Sequence, residues 1–215
     1  MLASFVGRDN LSLVLRRTQL SDLSLYQLDG GDSSVVAGLE SRQTDRILIL
    51  GGFTGDSVER FSKIPHREIV VVEPIDFYYL SLKQRFRNST SIKVLNIGVA
   101  NSTRSEILYS NGQTTSSFDQ SGNPEKVSLV DISSLFDQIG NVDILEINIE
   151  GGEYEVLQRL IEVHRLSTIR TLVIQFHTIV GGHEELRALI RTSLRLTHKE
   201  IFNYHYVWER WDRLS

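Results

Sequence analysis

The sequence contains no cysteine among its 215 residues, and this absence excludes several kinds of chemistry. A disulfide framework, a thiolate metal site and a catalytic cysteine are all ruled out. A chain without disulfides is typical of a reducing compartment. Only three prolines are present, and no low-complexity segment occurs, so nothing in the sequence indicates a linker between domains.

The chain also lacks a long apolar run and a block of basic residues. No stretch approaches the length of a membrane span, and the N-terminus lacks the charged-then-apolar order of a signal peptide. The formal net charge is −4, so nucleic acid is not the expected partner. We therefore expect a cytoplasmic protein that binds neither membranes nor nucleic acid. Its oligomeric state cannot be read from the sequence.

The most informative stretch is residues 46–56, where an apolar strand runs into a glycine-rich turn and then a helix. Residues 47–50 suit a strand that is buried on both faces. Three glycines follow within five residues and suit a turn at which the backbone approaches a ligand. Asp56 or Ser57 is predicted to cap the next helix. This order is typical of the nucleotide-binding unit of an open parallel sheet.

A second predicted strand, residues 69–72, ends at Glu73. An acid at this point, about 20 residues after the first glycine, is placed to accept hydrogen bonds from ribose hydroxyls. The alternatives are an ordinary turn for the glycines and a solvated strand end for Glu73. A third predicted strand, residues 92–97, ends at Asn96 and Ile97. These two would lie beside a nucleotide base, although a plain strand exit explains them equally well.

Residues 143–155 repeat the order of strand, glycine turn and helix. Asn148 and Glu150 lie where the strand gives way to the turn, at the carboxyl edge where open α/β sheets bind ligands. Glu153 and Glu155 are interpreted as charges that stabilise the positive end of the following helix. Asn148 and Glu150 are therefore the candidate site residues of this stretch.

A further predicted strand, residues 171–177, ends in His177 at the same edge. A lone histidine is often structural, so both a structural and a catalytic interpretation stay open. Residues 111–124 are polar and predict either a substrate-contacting loop or a flexible surface loop. Residues 199–211 are rich in aromatic and β-branched side chains and predict a C-terminal hairpin.

Several motifs, taken in order, resemble those of the FkbM-type methyltransferases. They are Gly-Gly-Phe-Thr-Gly-Asp at 51–56, Val-Glu-Pro at 72–74, Ile-Asn-Ile-Glu-Gly-Gly-Glu-Tyr-Glu-Val-Leu at 147–157, Ile-Gln-Phe-His at 174–177 and Val-Trp-Glu-Arg-Trp at 207–211. The resemblance implies an α/β fold of the Rossmann-like class I methyltransferase type. Such a fold has a mostly parallel seven-stranded sheet with a C-terminal antiparallel hairpin. Residues 45–215 would form this domain, and residues 1–44 a cap or edge element.

The resemblance also implies S-adenosylmethionine as the cofactor and transfer of a methyl group to a hydroxyl of a sugar, glycan or secondary metabolite. The candidate cofactor-binding residues are Gly51, Gly52, Phe53, Gly55, Asp56, Glu73, Pro74, Asn96 and Ile97. The candidate catalytic residues are Glu150, His177 and Asn148, with either Glu150 or His177 as the base. No metal ligand is predicted.

Two positions differ from the pattern of related methyltransferases and motivate alternatives. Many of them carry an acid two residues before the first glycine, where this chain has Ile49. Many family members have aspartate in place of Asn148, and an amide cannot act as a carboxylate base. A cofactor-binding module without catalysis is therefore an alternative function. A nicotinamide-dependent oxidoreductase is a second one, because the strand, glycine and acid pattern alone permits it.

Overall fold

Runs of buried aliphatic residues build the strands of this α/β protein. The computed structural model describes residues 21–111, 115–118 and 122–214. In these ranges the strands are β1 (Thr44–Leu50), β2 (His66–Val72), β3 (Ile92–Leu95), β4 (Gly98–Ala100), β5 (Arg104–Ser110), β6 (Thr115–Ser116), β7 (Asn123–Asp131), β8 (Ile144–Ile147), β9 (Thr171–Ile174), β10 (His198–Tyr204) and β11 (Trp208–Arg213).

Seven of these strands form the main sheet in the order β3-β2-β1-β8-β9-β11-β10. The pairs β1–β2, β2–β3, β1–β8 and β8–β9 are parallel. Strand β11 is antiparallel to both of its neighbours, β9 and β10. The predicted fold, a mostly parallel seven-stranded sheet with a C-terminal antiparallel hairpin, is confirmed.

Helices cover both faces of this sheet. They are α1 (Asp22–Leu28), α2 (Asp32–Val36), α3 (Asp56–Phe61), α4 (Asp76–Arg85), α5 (Ile132–Ile139), α6 (Glu153–Glu162) and α7 (His183–Leu194), with a short 3-10 helix at Leu166–Thr168. Alternate residues of a strand point to opposite faces. Leu48 and Leu50 accordingly pack with α5, α6 and α7, whereas Ile47 and Ile49 pack with α3 and the N-terminal helices.

A second, smaller sheet follows β3 and was not predicted as a separate unit. Its four strands have the order β4-β7-β5-β6. Asp131, at the end of β7, accepts the N–H of Ser133 at 2.8 Å and so caps α5.

Some local predictions require correction or lie outside the described residues. Neither Asp56 nor Ser57 caps α3: Gly55 occupies the cap position, because the side chain of Asp56 pairs with Arg85 and that of Ser57 contacts Glu146. Predictions for residues 1–20, 112–114 and 119–121 fall outside the described ranges. Among the residues that the structure describes, no helix has the length and apolar content that crossing a membrane requires.

A buried ion cluster joins α7 to the C-terminal hairpin. Glu209 is 1% exposed and accepts hydrogen bonds from Arg187 Nε at 2.7 Å and from Trp211 Nε1 at 2.9 Å. Arg191 pairs with the second carboxylate oxygen. The two arginines are themselves almost fully buried, and Glu209 pairs with both of these desolvated guanidinium groups, while Arg191 has a second carboxylate partner in Glu200.

We predict that Glu209→Gln lowers the free energy of unfolding by about 3–5 kcal/mol, because it leaves buried charges without their partner. Urea unfolding followed by tryptophan fluorescence measures this loss. The matched control is Glu162→Gln, which removes a pair whose carboxyl side chain is 65% exposed. The control is expected to change stability by less than about 1 kcal/mol. Equal losses in the two variants would contradict the assignment.

Candidate cofactor site and active site

The glycine turn after β1 is attached to the end of β2. The N–H of Gly51 donates to the carbonyl of Val72 at 3.0 Å. The carboxylate of Glu73 extends this contact, since Oε2 accepts the N–H of Phe53 at 2.9 Å and Oε1 accepts that of Ile75 at 3.0 Å. The turn and the exit of β2 are therefore one connected unit organised by Glu73.

Glu73 is 4% exposed. Burial raises the pKa of its carboxyl above the usual value, and the N–H groups of Phe53 and Ile75 oppose that rise. Each carboxylate oxygen offers two lone pairs, so Glu73 can hold the turn and still accept hydrogen bonds from a ligand. Its position after the second strand is the one predicted to bind ribose hydroxyls.

The turn after β8 comes as close to the turn after β1 as the backbone permits. Gly51 has φ +92°, and a Cβ atom there would lie only 2.1 Å from the carbonyl oxygen of Asn148. The N–H of Asn148 donates to the carbonyl of Leu50 at 3.1 Å. A side chain at position 51 is thus excluded, and the two turns form adjoining walls of one site.

The turn after β8 presents Glu150 from a left-handed backbone conformation. Glu150 has φ +47° and Gly151 has φ +102°. A Cβ atom at Gly151 would lie 2.8 Å from the ring of Phe118, so glycine is needed there. A left-handed residue other than glycine is uncommon and costs free energy. The surrounding contacts therefore hold Glu150 in place.

Glu153 supplies the strongest of these contacts. It is 0% exposed, and its Oε2 accepts the N–H of Gly151 at 2.8 Å. Its Oε1 accepts the backbone N–H of His177 at 2.7 Å and lies 3.2 Å from the Nδ1 atom of that ring. The sequence interpretation of Glu153 as a helix-end charge was incomplete, because this buried carboxylate joins the end of β8 to the end of β9.

His177 stands between two carboxylates. Its second ring nitrogen, Nε2, lies 3.5 Å from Oε1 of Glu150. Burial opposes the charged imidazolium, but the hydrogen bond and charge of Glu153 and the charge of Glu150 together raise the pKa of His177 above 6.5. Burial raises the pKa of Glu150; the His177 charge opposes this and the Glu153 charge adds to it.

These elements enclose a cavity of about 330 Å³. Its size is within the range of small-molecule sites in proteins. Six of the residues predicted from the sequence line it: Gly51, Phe53, Glu73, Pro74, Asn148 and Glu150. The structure therefore brings together residues from the ends of β1, β2 and β8. None of the described residues 21–44 lines this cavity.

The remaining predicted cofactor residues do not line the cavity. Gly52 and Gly55 belong to the same turn but lie on its side away from the cavity, where they approach Leu82. Asp56 is at the surface, in an ion pair with Arg85 at 2.9 Å.

Asn96 and Ile97, which were predicted to lie beside the nucleotide base, likewise do not line the cavity. The amide of Asn96 donates to Asp76, and Ile97 packs against the core. The neighbouring residues Gly98 and Val99 face the cavity instead. His177 is also not in the lining; it reaches the cavity only through Glu150.

Sequence reasoning missed the wall that the second sheet supplies. Glu106, Leu108 and Leu129 line the cavity from that sheet. Arg104 supports this wall, since its Nε donates to Glu106 at 2.8 Å and its Nη2 to Glu155 at 2.9 Å. The alternation of Glu106 and Leu108 along one strand shows that they share a face, but only the tertiary structure shows what that face covers.

Asn148 contributes a buried polar atom to the wall. Its Oδ1 has no hydrogen-bond partner among the described residues, and such a group ordinarily has one. A ligand in the cavity is placed to supply the missing donor. In the part of the chain that the structure describes, no group of three or more histidines or acids is arranged to hold a metal ion.

The strand order, the glycine turn and the acid after the second strand define a class I, Rossmann-like methyltransferase. The family described as "Methyltransferase FkbM domain" matches residues 51–204, which is more than half of the chain. The chain belongs to this family, and the cofactor is S-adenosylmethionine. The family match decides against a nicotinamide-dependent oxidoreductase.

Solved methyltransferase structures share the fold at low sequence identity. A putative methyltransferase from Streptococcus mutans in complex with SAH gives a TM-score of 0.54 at 6% identity, covering 85% of this chain and 95% of that one. Fibrillarin of Aeropyrum pernix, with natively bound S-adenosyl-L-methionine, gives 0.51 at 14%, covering 89% and 74%. These similarities show the fold alone. A comparison with curated proteins found no match.

The residues present fit the cofactor. Gly51 lines the cavity without a side chain, Glu73 offers oxygens for ribose hydroxyls, and Asn148 offers an oxygen that has no partner among the described residues. Gly51 and Phe53 would hold the methionine part. The apolar side chains of Val99, Leu108 and Leu129 provide a wall suited to the adenine base of the cofactor.

We predict that Glu73→Ala weakens S-adenosylhomocysteine binding by more than about tenfold, because the hydrogen bonds to ribose and to the turn are lost together. Isothermal titration calorimetry measures the affinity. Glu68→Ala is the matched control: it lies at the opposite end of the same strand and pairs with Arg46 at 2.7 Å. The control should keep the affinity, and an equal loss in both variants would argue against a ribose role.

We predict that Glu153→Gln lowers the pKa of His177, because the neutral amide no longer stabilises the imidazolium. NMR titration of the histidine ring measures this. The wild type should lose stability as pH rises from 6.5 through the raised pKa of His177, since its charged form is favoured in the folded state. That slope should flatten in Glu153→Gln and persist in Glu162→Gln, a control on the same helix.

Proposed function

We propose that the chain is an O-methyltransferase that acts on a hydroxyl group of a sugar, glycan or secondary-metabolite acceptor. The observation that carries the proposal is the row Glu153–His177–Glu150, which ends at the cavity wall. A hydroxyl is a weak nucleophile while it keeps its proton, so a base beside the acceptor assists methylation at oxygen.

Glu150 is the proposed base. Its carboxyl lines the cavity, and its raised pKa makes it a better proton acceptor than an ordinary glutamate. His177 stands behind Glu150 and balances the charge of this carboxylate, while Glu153 holds the imidazole in position. The bound cofactor supplies an activated methyl group on a sulfonium. The protein's remaining task is to align the acceptor oxygen.

The chemistry of the wall supports an acceptor rich in hydrogen-bond donors. Besides Glu73, which is assigned to the cofactor ribose, the carboxylates of Glu106, Glu150 and Glu155 line the cavity, and Arg104 pairs with Glu106 and Glu155 from behind the wall. No lysine, arginine or histidine is among the described lining residues. Carboxylates accept hydrogen bonds and repel anions. Hydroxylated neutral acceptors suit this wall, whereas phosphorylated acceptors and nucleic acid do not.

A cofactor-binding module without catalysis is the second candidate. It is favoured by Asn148, an amide where many family members carry a carboxylate. This alternative predicts S-adenosylhomocysteine binding without methyl transfer to any hydroxylated acceptor. Incubation with S-adenosylmethionine and a panel of sugars, glycans and polyhydroxylated metabolites, with mass-spectrometric detection of methylated product, separates the two. NMR of the product then distinguishes methylation at oxygen from methylation at nitrogen.

With an acceptor from that panel, we predict that Glu150→Gln lowers turnover by about 10²–10⁴-fold, the usual contribution of a general base. S-adenosylhomocysteine affinity should stay within about twofold, because the glutamine keeps the size of the side chain. The control Glu162→Gln lies on the surface, away from the cavity. If Glu150→Gln keeps full turnover, Glu150 is structural and His177 becomes the candidate base.

A further inference from the structure

A fully buried carboxyl lies in the sheet below the glycine turn and takes no part in the site described above. Glu146 of β8 is 0% exposed. The parallel register pairs it with Ile49 of β1, so the two side chains point to the same face of the sheet. That face is covered by an apolar layer to which Val58 and Phe61 of α3 belong.

The first turn of α3 reaches this carboxyl. Ser57 Oγ donates to Oε1 of Glu146 at 3.0 Å, while Oε2 is buried without a hydrogen-bond partner among the described residues. The guanidinium of Arg60, further along α3, acts on Glu146 through its charge. Arg60 is itself paired with Asp32 at 2.5 Å, so the direct contact of Glu146 is with Ser57.

Stability alone does not explain an acid at this position. Burial raises the pKa of Glu146 to about 8, so the carboxyl is mostly protonated at neutral pH. A buried polar group with one unpartnered atom costs free energy that an apolar side chain of similar size would not. Besides the charge of Arg60, the hydrogen bond from Ser57 is the direct contact that distinguishes Glu146 from a leucine in the same place.

We propose that Glu146 is a positioning residue that fixes, through Ser57, the glycine turn that contacts the cofactor. Ser57 follows Gly55 by two residues, and the N–H of Gly55 donates to the carbonyl of Gly52 at 2.9 Å. A shift of Ser57 therefore shifts the turn. Glu73 holds the same turn from β2, and Glu146 holds it from β8. This inference rests on the cofactor site described above.

The test compares Glu146→Leu, Glu146→Gln and Ser57→Ala with the wild type. Glu146→Leu should melt at the same or a higher temperature, yet bind S-adenosylhomocysteine about tenfold more weakly, because it loses the hydrogen bond that orders the turn. Ser57→Ala should show the same loss of affinity. Glu146→Gln should keep the wild-type affinity, since its amide oxygen still accepts the hydrogen bond from Ser57.

Amide hydrogen exchange of residues 52–57 in the unliganded protein gives a second readout. Exchange should be faster in Glu146→Leu and Ser57→Ala, and unchanged in Glu146→Gln. If Glu146→Leu fails to fold, Ser57→Ala carries the same prediction, because it leaves the sheet core intact.

Wild-type affinity in both Glu146→Leu and Ser57→Ala would overturn the inference and leave the cofactor site standing. A loss in Glu146→Gln equal to that in Glu146→Leu would also overturn it. If the wild type itself does not bind S-adenosylhomocysteine, the cofactor assignment fails. The exchange rates then decide separately whether Glu146 orders the turn.

Discussion

The buried carboxylate of Glu153 is the contact on which the catalytic half of the site depends. Its two oxygens accept N–H groups from two different chain segments, the turn after β8 and the end of β9. Main-chain hydrogen bonds hold the two strands together as far as that from the Gln175 N–H to the Ile147 carbonyl, and the side chain of Glu153 links the backbone beyond that point. By doing so, Glu153 also determines where Glu150 and His177 lie relative to each other.

A buried carboxylate also organises the cofactor-binding half of the site. Glu73 holds the turn after β1 through backbone N–H groups, and the absence of a side chain at Gly51 lets the turn after β8 approach it. Acidic side chains thus serve twice in this protein, as organisers of backbone and as groups that face a ligand. A single substitution at such a position is expected to change both geometry and chemistry.

Features set by local pattern were predictable from the sequence. The strands before Gly51, Glu73 and Asn148 follow from apolar runs, and the shared carboxyl edge follows from parallel order. For that reason the sequence analysis could predict Glu73 and Glu150 as site residues, and both line the cavity. The predicted C-terminal hairpin followed from its aromatic residues, and Trp211 is indeed fully buried.

Features set by contacts distant in sequence were not predictable. The role of Glu153 depends on His177, 24 residues away, and the bond between Ser57 and Glu146 spans 89 residues. The capping prediction failed for the same reason, since distant partners hold both Asp56 and Ser57. The hydrophobic periodicity of a segment indicates which of its faces is buried, but not which other segment packs against that face.

The second sheet is a part of the structure that could be replaced between related proteins during evolution. Its strands pair with one another and not with the main sheet in the described ranges, and all of them come from the continuous stretch 98–131. One wall of the cavity is therefore encoded as a module, separate from the turns that carry Gly51, Glu73 and Glu150. Exchange of this module between related chains would alter what the cavity admits while leaving the register of the seven-stranded sheet untouched.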